Sequence, residues 1–547
     1  MGFHADAPFC YTACMNDRYT RRSFLAMACA SAGLAGIGPS ALAGAERKKP
    51  NILFMMTDDH AAHAIGAYGS RINHTPHIDA LARRGALFTN CFCTNPICTP
   101  SRAGILTGMY SHANGVPVFN DISPDIKTVG GYMRDAGYYT AFIGKWHLGG
   151  PRTVRDSDWD RWMVYANQGE YFNPWYWEKK DGRIRRTEYK GEYATENITR
   201  VTQDAIDRAL AAGKPFFAMM HHKAPHRNWL PSPKYKARFR AMTLKDIPVP
   251  DTLFDAWEGR ASPIKTTAMT VLRHMRLKED LKLAEYFAGG GKFEFEGRAY
   301  EGRRNANGEY IDAWPEGMEN DSRAKAALSY LRYMQDYLAC VQSVDDSVGD
   351  MAAFLEKRGI ARDTLVIYTS DQGFFLGDHG LYDKRFMMEE VIKMPFVAQW
   401  PAVIAPGTRV DDMVLNVDFA PTFLQAAGAP VPAGMQGRGF VENMKGRTPA
   451  DWREDAYFRY YVEGGEHATA AWYGIRTRTD KLMFYYKRGE WEYFDLRKDP
   501  EELDNAYSKP ECAARIAQLK KRLARLRAAL GDRDQYRNAR EYGKPQP

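Results

Sequence analysis

Four apolar segments of strand length, each ending directly on polar residues, constrain the fold of this 547-residue chain more than any other feature. They occupy residues 51–57, 138–143, 215–220 and 364–370. Continuous apolar runs of this length are typical of strands that are buried on both faces. Helical stretches at residues 77–84, 199–212 and 324–357 lie between these segments. The alternation predicts an α/β fold in which helices flank a mostly parallel sheet.

The polar residues that follow these strands are predicted to form one site, because ligands of such sheets bind beyond the carboxyl ends of the strands. Asp58 and Asp59 follow the first strand, and Asp371 and Gln372 follow the last. Three carboxylates in one place need a cation to remain ionised, and an all-oxygen set favours calcium or magnesium over zinc. The alternative is that Asp58 and Asp59 are turn or helix-cap residues.

The cysteines do not form the pattern of a disulfide framework. Those beyond the N-terminal segment are Cys91, Cys93, Cys98, Cys340 and Cys512. This is an odd number for a large domain, and three of the five are crowded together. Cys91 and Cys93 have no matching second pair, which argues against zinc, and we predict that they are small core residues.

Residues 1–43 are predicted to be a twin-arginine-type signal peptide. The pair Arg21-Arg22 precedes an apolar stretch at residues 26–37 and a small-residue cleavage site that ends at Ala43. We therefore expect the chain to pass through the twin-arginine export machinery of a bacterium and to act in the periplasm or outside the cell. The alternative is an N-terminal anchor, which includes the possibility of a lipid on Cys29.

The composition excludes several classes of protein. The formal charge of +8 (75 basic and 67 acidic residues) is a mild basic excess that favours anionic substrates slightly and implies no nucleic acid. The N-terminal run is the only segment whose hydropathy suggests a membrane span, so no stable membrane insertion of the remaining chain is expected.

The segment at residues 98–108 carries the most specific motif in the chain. It reads Cys98-Thr99-Pro100-Ser101-Arg102-Ala103, followed by Leu106-Thr107-Gly108. This resembles the signature of formylglycine-dependent sulfatases, which belong to the alkaline-phosphatase-like superfamily. Further segments resemble elements of the same family in the same order, at residues 144–149, 224–226, 370–373 and 379–384. The resemblance implies an alkaline-phosphatase-like catalytic domain at 44–440 and a smaller C-terminal α+β subdomain at 441–547.

The resemblance also implies a cofactor and a modification. A formylglycine-generating maturation enzyme would oxidise Cys98 to an aldehyde in the cytoplasm, which is compatible with twin-arginine export of a folded protein. One hydroxyl of the hydrated aldehyde attacks sulfur, and the second later expels sulfate. Asp58, Asp59, Asp371 and Gln372, together with residue 98, would hold calcium. Relatives often have Asn or His at the position of Gln372, but an amide oxygen still suits a hard cation.

The remaining roles come from the same resemblance. Arg102 would fix the hydrate, and His147 would deprotonate its second hydroxyl. Lys145 and Lys384 would stabilise the charge of the sulfate, and His226 would act as an acid or a contact at the leaving oxygen. No catalytic role is assigned to His221 or His222.

The predicted substrate is a sulfated carbohydrate, such as a glycosaminoglycan. Segments at residues 73–76, 91–93 and 221–229 look similar to bacterial sulfatases of the N-acetylglucosamine 6-sulfatase type. The aromatic stretch at residues 159–177 is either a sugar-stacking loop or an ordinary core hairpin. Two other functions stay open: a phosphodiesterase or phosphonate hydrolase of the same superfamily, and a catalytically silent glycan-binding protein.

The C-terminal subdomain is predicted to contain a small antiparallel sheet and an amphipathic helix. Residues 481–487 and 490–496 form a hairpin signal. Ile516, Leu519, Leu523, Leu526 and Leu530 then repeat at helical spacing, so this helix should pack its apolar side on the sheet. A membrane-surface or dimer-forming helix is the alternative. The insert at residues 247–320 is expected to form loops over the site.

Overall fold

Asn51–Thr57, the first predicted strand, lies in the middle of a large sheet. The computed structural model describes residues 49–543, so the predicted signal peptide at 1–43 lies outside the described residues. The strands are β1 (Asn51–Thr57), β2 (Ala86–Phe92), β3 (Tyr139–Lys145), β4 (Arg161–Tyr165), β5 (Trp175–Lys180), β6 (Arg183–Glu188), β7 (Phe216–His221), β8 (Phe293–Phe295), β9 (Arg298–Tyr300), β10 (Thr364–Ser370), β11 (Phe375–Leu376), β12 (Tyr382–Asp383), β13 (Lys393–Gln399), β14 (Thr408–Val410), β15 (Val414–Leu415), β16 (Asp455–Tyr460), β17 (Trp472–Thr477), β18 (Asp480–Tyr485) and β19 (Glu490–Asp495).

The α-helices within the described part of the chain are α1 (Pro76–Arg84), α2 (Cys98–Thr107), α3 (Ser111–Asn114), α4 (Val129–Asp135), α5 (Ala194–Ala211), α6 (Pro233–Arg240), α7 (Ser262–Thr266), α8 (Leu283–Ala288), α9 (Ser322–Lys357), α10 (Glu389–Ile392), α11 (Phe419–Ala426), α12 (Val441–Met444) and α13 (Ala513–Leu530).

The large sheet has eleven strands, and its order is β14-β2-β13-β10-β1-β7-β3-β4-β5-β6, with β15 also paired to β2. The five central strands from β10 to β4 are parallel to one another. Strand β13 is antiparallel to both β10 and β2, and the β5–β6 hairpin continues the sheet from β4 in antiparallel fashion. The predicted α/β fold, a mostly parallel sheet flanked by helices, is confirmed.

Both faces of β1 are covered, which explains why its sequence is apolar from Ile52 to Met56. Leu53 and Met55 belong to a core shared with helices α1, α5 and α9. Phe54 and its alternate neighbours belong to a second core, shared with α2, α4 and α11. Because successive side chains of a strand point to opposite faces, a strand between two helical layers carries apolar residues at consecutive positions.

Two of the predicted strands end later than the sequence indicated. Strand β3 ends at Lys145 and β7 ends at His221, each one or two residues beyond the expected end. Parallel pairing of Gly144 with His221 keeps both residues in the sheet. His221 is consequently a core residue, with its ring 4.4 Å from the ring of Phe142.

The C-terminal part of the described chain contains a four-stranded antiparallel sheet in the order β16-β17-β18-β19. Strands β18 and β19 form the predicted hairpin. Helix α13 packs on this sheet through Ile516, Leu519 and Leu523, which are at most 5% exposed. Packing of the amphipathic helix on the small sheet is therefore confirmed. The boundary at residue 440 stays a prediction.

Three further expectations concern the cysteines, the insert at residues 247–320 and membrane insertion. The five described cysteines are free thiols, and Cys91 and Cys93 are buried in the core, as predicted. The insert at 247–320 contains helices α7 and α8 and the β8–β9 hairpin in addition to loops. Within residues 49–543, no helix combines the length and the hydropathy needed to cross a bilayer.

We predict that Leu519→Ala lowers the free energy of unfolding by roughly 2–5 kcal/mol, because the side chain is fully buried between α13 and the small sheet. Denaturant unfolding followed by circular dichroism measures this change. Arg525→Ala, at an exposed position on the same helix, should change the value by less than about 0.5 kcal/mol. Equal effects of the two substitutions would contradict the packing described here.

Candidate active site

The carboxyl ends of β1 and β10 bring four predicted metal ligands together. Thr57 pairs with Ser370 at the last position of the two strands, so Asp58-Asp59 and Asp371-Gln372 emerge side by side. The backbone N–H of Asp59 donates to Asp371 Oδ1 at 3.2 Å. All four side chains are buried. Residues 312 or more positions apart in the chain therefore meet at one point.

Cys98 is the first residue of α2, and it is 1% exposed. The helix is fixed against the acidic residues by its first turns. The Ser101 hydroxyl donates to the carbonyl oxygen of Asp371, and the Arg102 guanidinium donates to Asp371 Oδ2 through Nε at 3.0 Å and Nη2 at 2.8 Å. Backbone N–H groups at a helix N-terminus favour an anion, and here that end of the helix is held beside the acidic group.

Arg102 is fully buried, and all three nitrogens of its guanidinium group donate hydrogen bonds. Its Nη1 donates to the carbonyl oxygen of Lys145 at 2.9 Å, and its Nη2 lies 3.8 Å from Asp58 Oδ2. Burial alone would lower the pKa of Arg102, but Asp371 and Asp58 raise it above the usual value. Arg102 is thus a permanent cation that links α2, β3 and the acidic loop after β10.

Two lysines neutralise two of the aspartates. Lys145 Nζ donates to Asp58 Oδ2 and to the amide oxygen of Gln168. Lys384 Nζ donates to both oxygens of Asp59, at 2.6 and 2.7 Å. Burial raises the pKa of Asp59 to about 8 against the opposing effect of Lys384, whereas Lys145 and other cations hold the pKa of Asp58 well below its usual range despite burial.

The acceptor oxygens at the centre of the site fit a hard divalent cation. Asp58 Oδ1 and Gln372 Oε1 are buried and have no hydrogen-bond partner among the described residues. Gln372 Nε2 donates to Asp59 Oδ1, so the amide oxygen of Gln372 is left as an acceptor. Ligand atoms of Asp58, Asp59 and His226 lie within 4.8 Å of one another. Buried oxygen acceptors without donors are stabilised by a cation.

His147 and His226 are held by different contacts. The Thr99 hydroxyl donates to the carbonyl oxygen of His147 at 2.9 Å, which ties the loop after β3 to α2. His226 Nε2 is 3.7 Å from Asp59 Oδ2, and its Nδ1 contacts the carbonyl oxygen of Arg227. Burial and the nearby lysines hold the pKa of both imidazoles well below the usual value, so both rings are neutral at pH 7.

The two histidines without an assigned role lie behind the site. His221 is the last residue of β7, and its Nδ1 lies 3.2 Å from the carbonyl oxygen of Lys145 and 3.4 Å from Arg102 Nη1. His222 Nε2 contacts the Ser347 hydroxyl at 3.2 Å on α9, and burial lowers the pKa of His222 to about 3. Both are core residues.

A cavity of about 430 Å³ opens over Cys98, His226 and Lys384. Its wall also contains Lys223 and Asp383, which lie within the motif segments, and residues outside those segments: Phe119, Gln168, Arg385, Glu466, His467 and Tyr542. Arg385 directly follows Lys384 in the sequence, so its proximity to the site could have been expected. Gln168 and Tyr542 carry no local sequence signal, because only the tertiary fold brings them to this cavity.

The aromatic stretch at residues 159–177 divides between core and cavity. Trp162 and Tyr176 are at most 1% exposed and lie in β4 and β5, as expected of a core hairpin. Tyr171 borders the cavity, and its hydroxyl donates to the carbonyl oxygen of His226 at 2.7 Å. Among the aromatic residues of this stretch, Tyr171 therefore reaches the cavity, where it supports His226.

Comparison with known families assigns the class of this protein. Residues 50–429 match the sulfatase family, and residues 377–529 match the family described as N-sulphoglucosamine sulphohydrolase, C-terminal. The chain belongs to the sulfatase family. It is a sulfuric ester hydrolase, in agreement with the prediction from the motif at Cys98.

Two sulfatases and one solved structure are similar to this chain over most of its length. The chain is 39% identical over 513 residues to N-acetylglucosamine-6-O-sulfatase of Bacteroides thetaiotaomicron, covering 89% of this chain and 88% of the relative. It is 25% identical to an ulvan-active sulfatase of Formosa agariphila, and the match covers 92% of this chain and 87% of that relative. A solved structure of a protein in complex with its substrate D-glucosamine-2-N,6-O-disulfate superposes with a TM-score of 0.79 at 36% identity, covering 89% of this chain and 99% of that one.

The fold is also shared with a protein that is named for a different activity. A phosphonate monoester hydrolase from Silicibacter pomeroyi superposes with a TM-score of 0.58 at 19% identity, covering 89% of this chain and 96% of that one. At this identity the likeness concerns the fold alone.

We predict that Asp371→Asn lowers the affinity for calcium at least about tenfold, because it removes one negative charge from the group of acceptor oxygens. Asparagine keeps the size of the side chain, and one oxygen can still accept from Arg102. Isothermal titration of calcium into the purified protein measures the change without any assay of activity. Asp411→Asn, at an exposed aspartate, is the control and should bind calcium as the wild type does.

Proposed function

We propose that this protein hydrolyses sulfate esters of a carbohydrate and that its substrate is a 6-O-sulfated N-acetylglucosamine or a closely related sulfated sugar. The observation that carries the proposal is the position of Cys98, the cysteine of the sulfatase-type motif, in the wall of a cavity beside Lys384 and His226. The relative with 39% identity is named for the same activity, which supports the choice of sugar and of sulfated position.

The residues around Cys98 suit the binding of a sulfate group. The ammonium groups of Lys145 and Lys384 are buried, and their charge acts to lower the pKa of the Cys98 thiol. Their effect is opposed by burial, which raises the pKa of the unmodified Cys98 thiol to about 11. The unmodified thiolate is therefore disfavoured at neutral pH.

Conversion of Cys98 to formylglycine would supply a nucleophilic hydroxyl at this position. The chain's own contribution is to position this group: Ser101 and Arg102 fix the first turns of α2, and Thr99 ties the helix to the loop of His147. A neutral His147 can take a proton, and its Nδ1 is a buried atom without a hydrogen-bond partner among residues 49–543. His147 therefore serves as the base of sulfate release, as the family resemblance implies.

Calcium would be held by Asp58, Asp59, Asp371 and Gln372, and when bound it would attract a sulfate oxygen and lower the pKa of the nucleophile. The unpaired oxygens of Asp58 and Gln372 support this set. His226, 3.7 Å from Asp59, is placed at the rim of the same group, where a neutral imidazole suits a contact with the leaving oxygen of the ester.

The cavity wall supports a sugar as the remaining part of the substrate. It combines charged residues, such as Asp383, Arg385 and Glu466, with the aromatic rings of Phe119, Tyr171 and Tyr542. Carbohydrates require both kinds of contact, because hydroxyl groups need hydrogen-bond partners and the C–H faces of the ring pack on aromatic side chains.

The proposal includes the route to the mature enzyme. A formylglycine-generating enzyme would act on Cys98 in the cytoplasm, and the twin-arginine machinery would then export the folded protein to the periplasm or beyond. These steps rest on the cysteine motif and on Arg21-Arg22, which lies outside the described residues.

We predict that Cys98→Ala reduces sulfate release at least about 10⁴-fold, since it removes the nucleophile, while the unfolding midpoint stays close to that of the wild type. Ion chromatography of released sulfate and thermal unfolding measure the two quantities. Cys512→Ala, at a partly exposed cysteine of the C-terminal region, is the control and should keep full activity. Sulfate release by Cys98→Ala at the wild-type rate would refute the mechanism.

Mass spectrometry of the peptide that contains Cys98 is a second test, on protein expressed in a host with the maturation enzyme. A loss of about 18 Da relative to the cysteine peptide is expected for formylglycine, because the thiol carbon is converted to an aldehyde. An unmodified cysteine in such a host, together with no sulfate release, would instead support a silent glycan-binding protein.

We predict that sulfate is released from 6-O-sulfated N-acetylglucosamine at least about tenfold faster, in kcat/KM, than from 3-O-sulfated glucosamine or sulfated galactose. A panel of sulfated monosaccharides tests the choice of sugar. An aryl phosphodiester assayed in parallel tests the phosphodiesterase alternative. Faster cleavage of the phosphodiester than of every sulfate ester would overturn the proposal.

A further inference from the structure

Glu541 and Tyr542, near the end of the described chain, lie at the mouth of the active-site cavity, and we call this pair the C-terminal strap. The backbone N–H of Phe119 donates to the carbonyl oxygen of Glu541 at 3.1 Å. Phe119 and Tyr542 also form an isolated parallel β-bridge. The strap is thus joined through its backbone to a loop that is more than 400 positions away in the sequence.

The side chain of Glu541 anchors the strap to the cavity wall. Arg385 Nη1 donates to Glu541 Oε1 at 2.7 Å, and the backbone N–H of Glu466 donates to Glu541 Oε2 at 2.9 Å. Glu541 is 7% exposed, so this ion pair is shielded from water. Arg385 and Glu466 both line the cavity, and the strap is therefore held by residues of the site itself.

The anchored backbone presents an aromatic ring at the cavity mouth. The rings of Tyr542 and Phe119 are stacked, with centroids 5.0 Å apart and planes 13° apart. Tyr542 nevertheless is 62% exposed, the highest value among the exposed large hydrophobic residues of the described chain. It also lines the cavity that contains Cys98. A large ring that is held rigidly from one side and accessible elsewhere fits a binding surface better than a core position.

We propose that Tyr542, supported by Phe119, forms an aromatic platform that binds the sugar ring of the substrate and so contributes to its selection. This inference rests on the proposed function, since it requires a carbohydrate ester as substrate. The apolar C–H face of a pyranose would pack on the accessible part of the Tyr542 ring while the sulfate group lies between Lys145 and Lys384. The platform acts on binding of the sugar and takes no part in breaking the ester bond.

Steady-state kinetics on the calcium-loaded, matured full chain test the platform. The probe is the sulfated monosaccharide that the wild type hydrolyses best, beginning with 6-O-sulfated N-acetylglucosamine. Tyr542→Ala should lower kcat/KM about fivefold, the factor expected for loss of one aromatic contact, and most of the change should be a rise in KM. Tyr542→Phe keeps the ring and should stay within about twofold of the wild type.

A matched control comes from Phe172, another exposed aromatic residue, at 39% exposure, which does not line the cavity. Phe172→Ala should leave KM within about twofold of the wild-type value. Because Tyr542 is exposed, its replacement is not expected to unfold the protein, and thermal unfolding of each variant checks this.

Three results would overturn the platform. The first is a kcat/KM of Tyr542→Ala within about twofold of the wild type. The second is a loss confined to kcat. The Phe119 ring centroid is 5.6 Å from that of His147, so such a loss would mean that Tyr542 acts on His147 through Phe119. The third is an equal loss in Tyr542→Phe, which would assign it to the hydroxyl. If the wild type itself releases no sulfate from any sugar ester, the proposed function fails instead.

Discussion

The site depends on one interaction, the buried contact between Asp371 and Arg102. Asp371 receives two hydrogen bonds from the guanidinium, one from the backbone of Asp59 and, on its carbonyl oxygen, one from Ser101. It thereby connects the end of β10, the end of β1 and the start of α2. A buried ion pair of this kind adds little net stability, but loss of either partner leaves an uncompensated charge in the core. The position of Cys98 follows from this contact, because α2 begins at Cys98.

Charge balance explains why so many titratable groups can share a buried site. Three aspartates face Lys145, Lys384 and Arg102, so each carboxylate has a cationic partner even before a metal ion is considered. Burial still raises the pKa of Asp371 to about 6, with Asp58 acting in the same direction, and two acceptor oxygens lack donors. A divalent cation would stabilise these remaining groups. The two core layers on either side of β1 provide the rigid support that holds them in position.

The site and its cavity are assembled from segments that are far apart in the chain. Cys98 comes from α2, the acidic group from the ends of β1 and β10, Lys145 from β3, Lys384 from the loop after β12, and one part of the wall from the C-terminal strap. The strap lies beyond residue 529, where the match to the family's C-terminal part ends.

Much of this protein follows from its sequence alone. Apolar runs ending on polar residues predicted the parallel sheet and the meeting of Asp58, Asp59, Asp371 and Gln372, because strand burial and strand direction are local and topological properties. The motif at Cys98 indicated the family. Only the tertiary structure decided that β3 and β7 continue to Lys145 and His221, that His221 is a core residue, and that Gln168 and Tyr542 reach the cavity. These features depend on pairing between distant segments, and such pairing leaves no periodic pattern in the residues that take part in it.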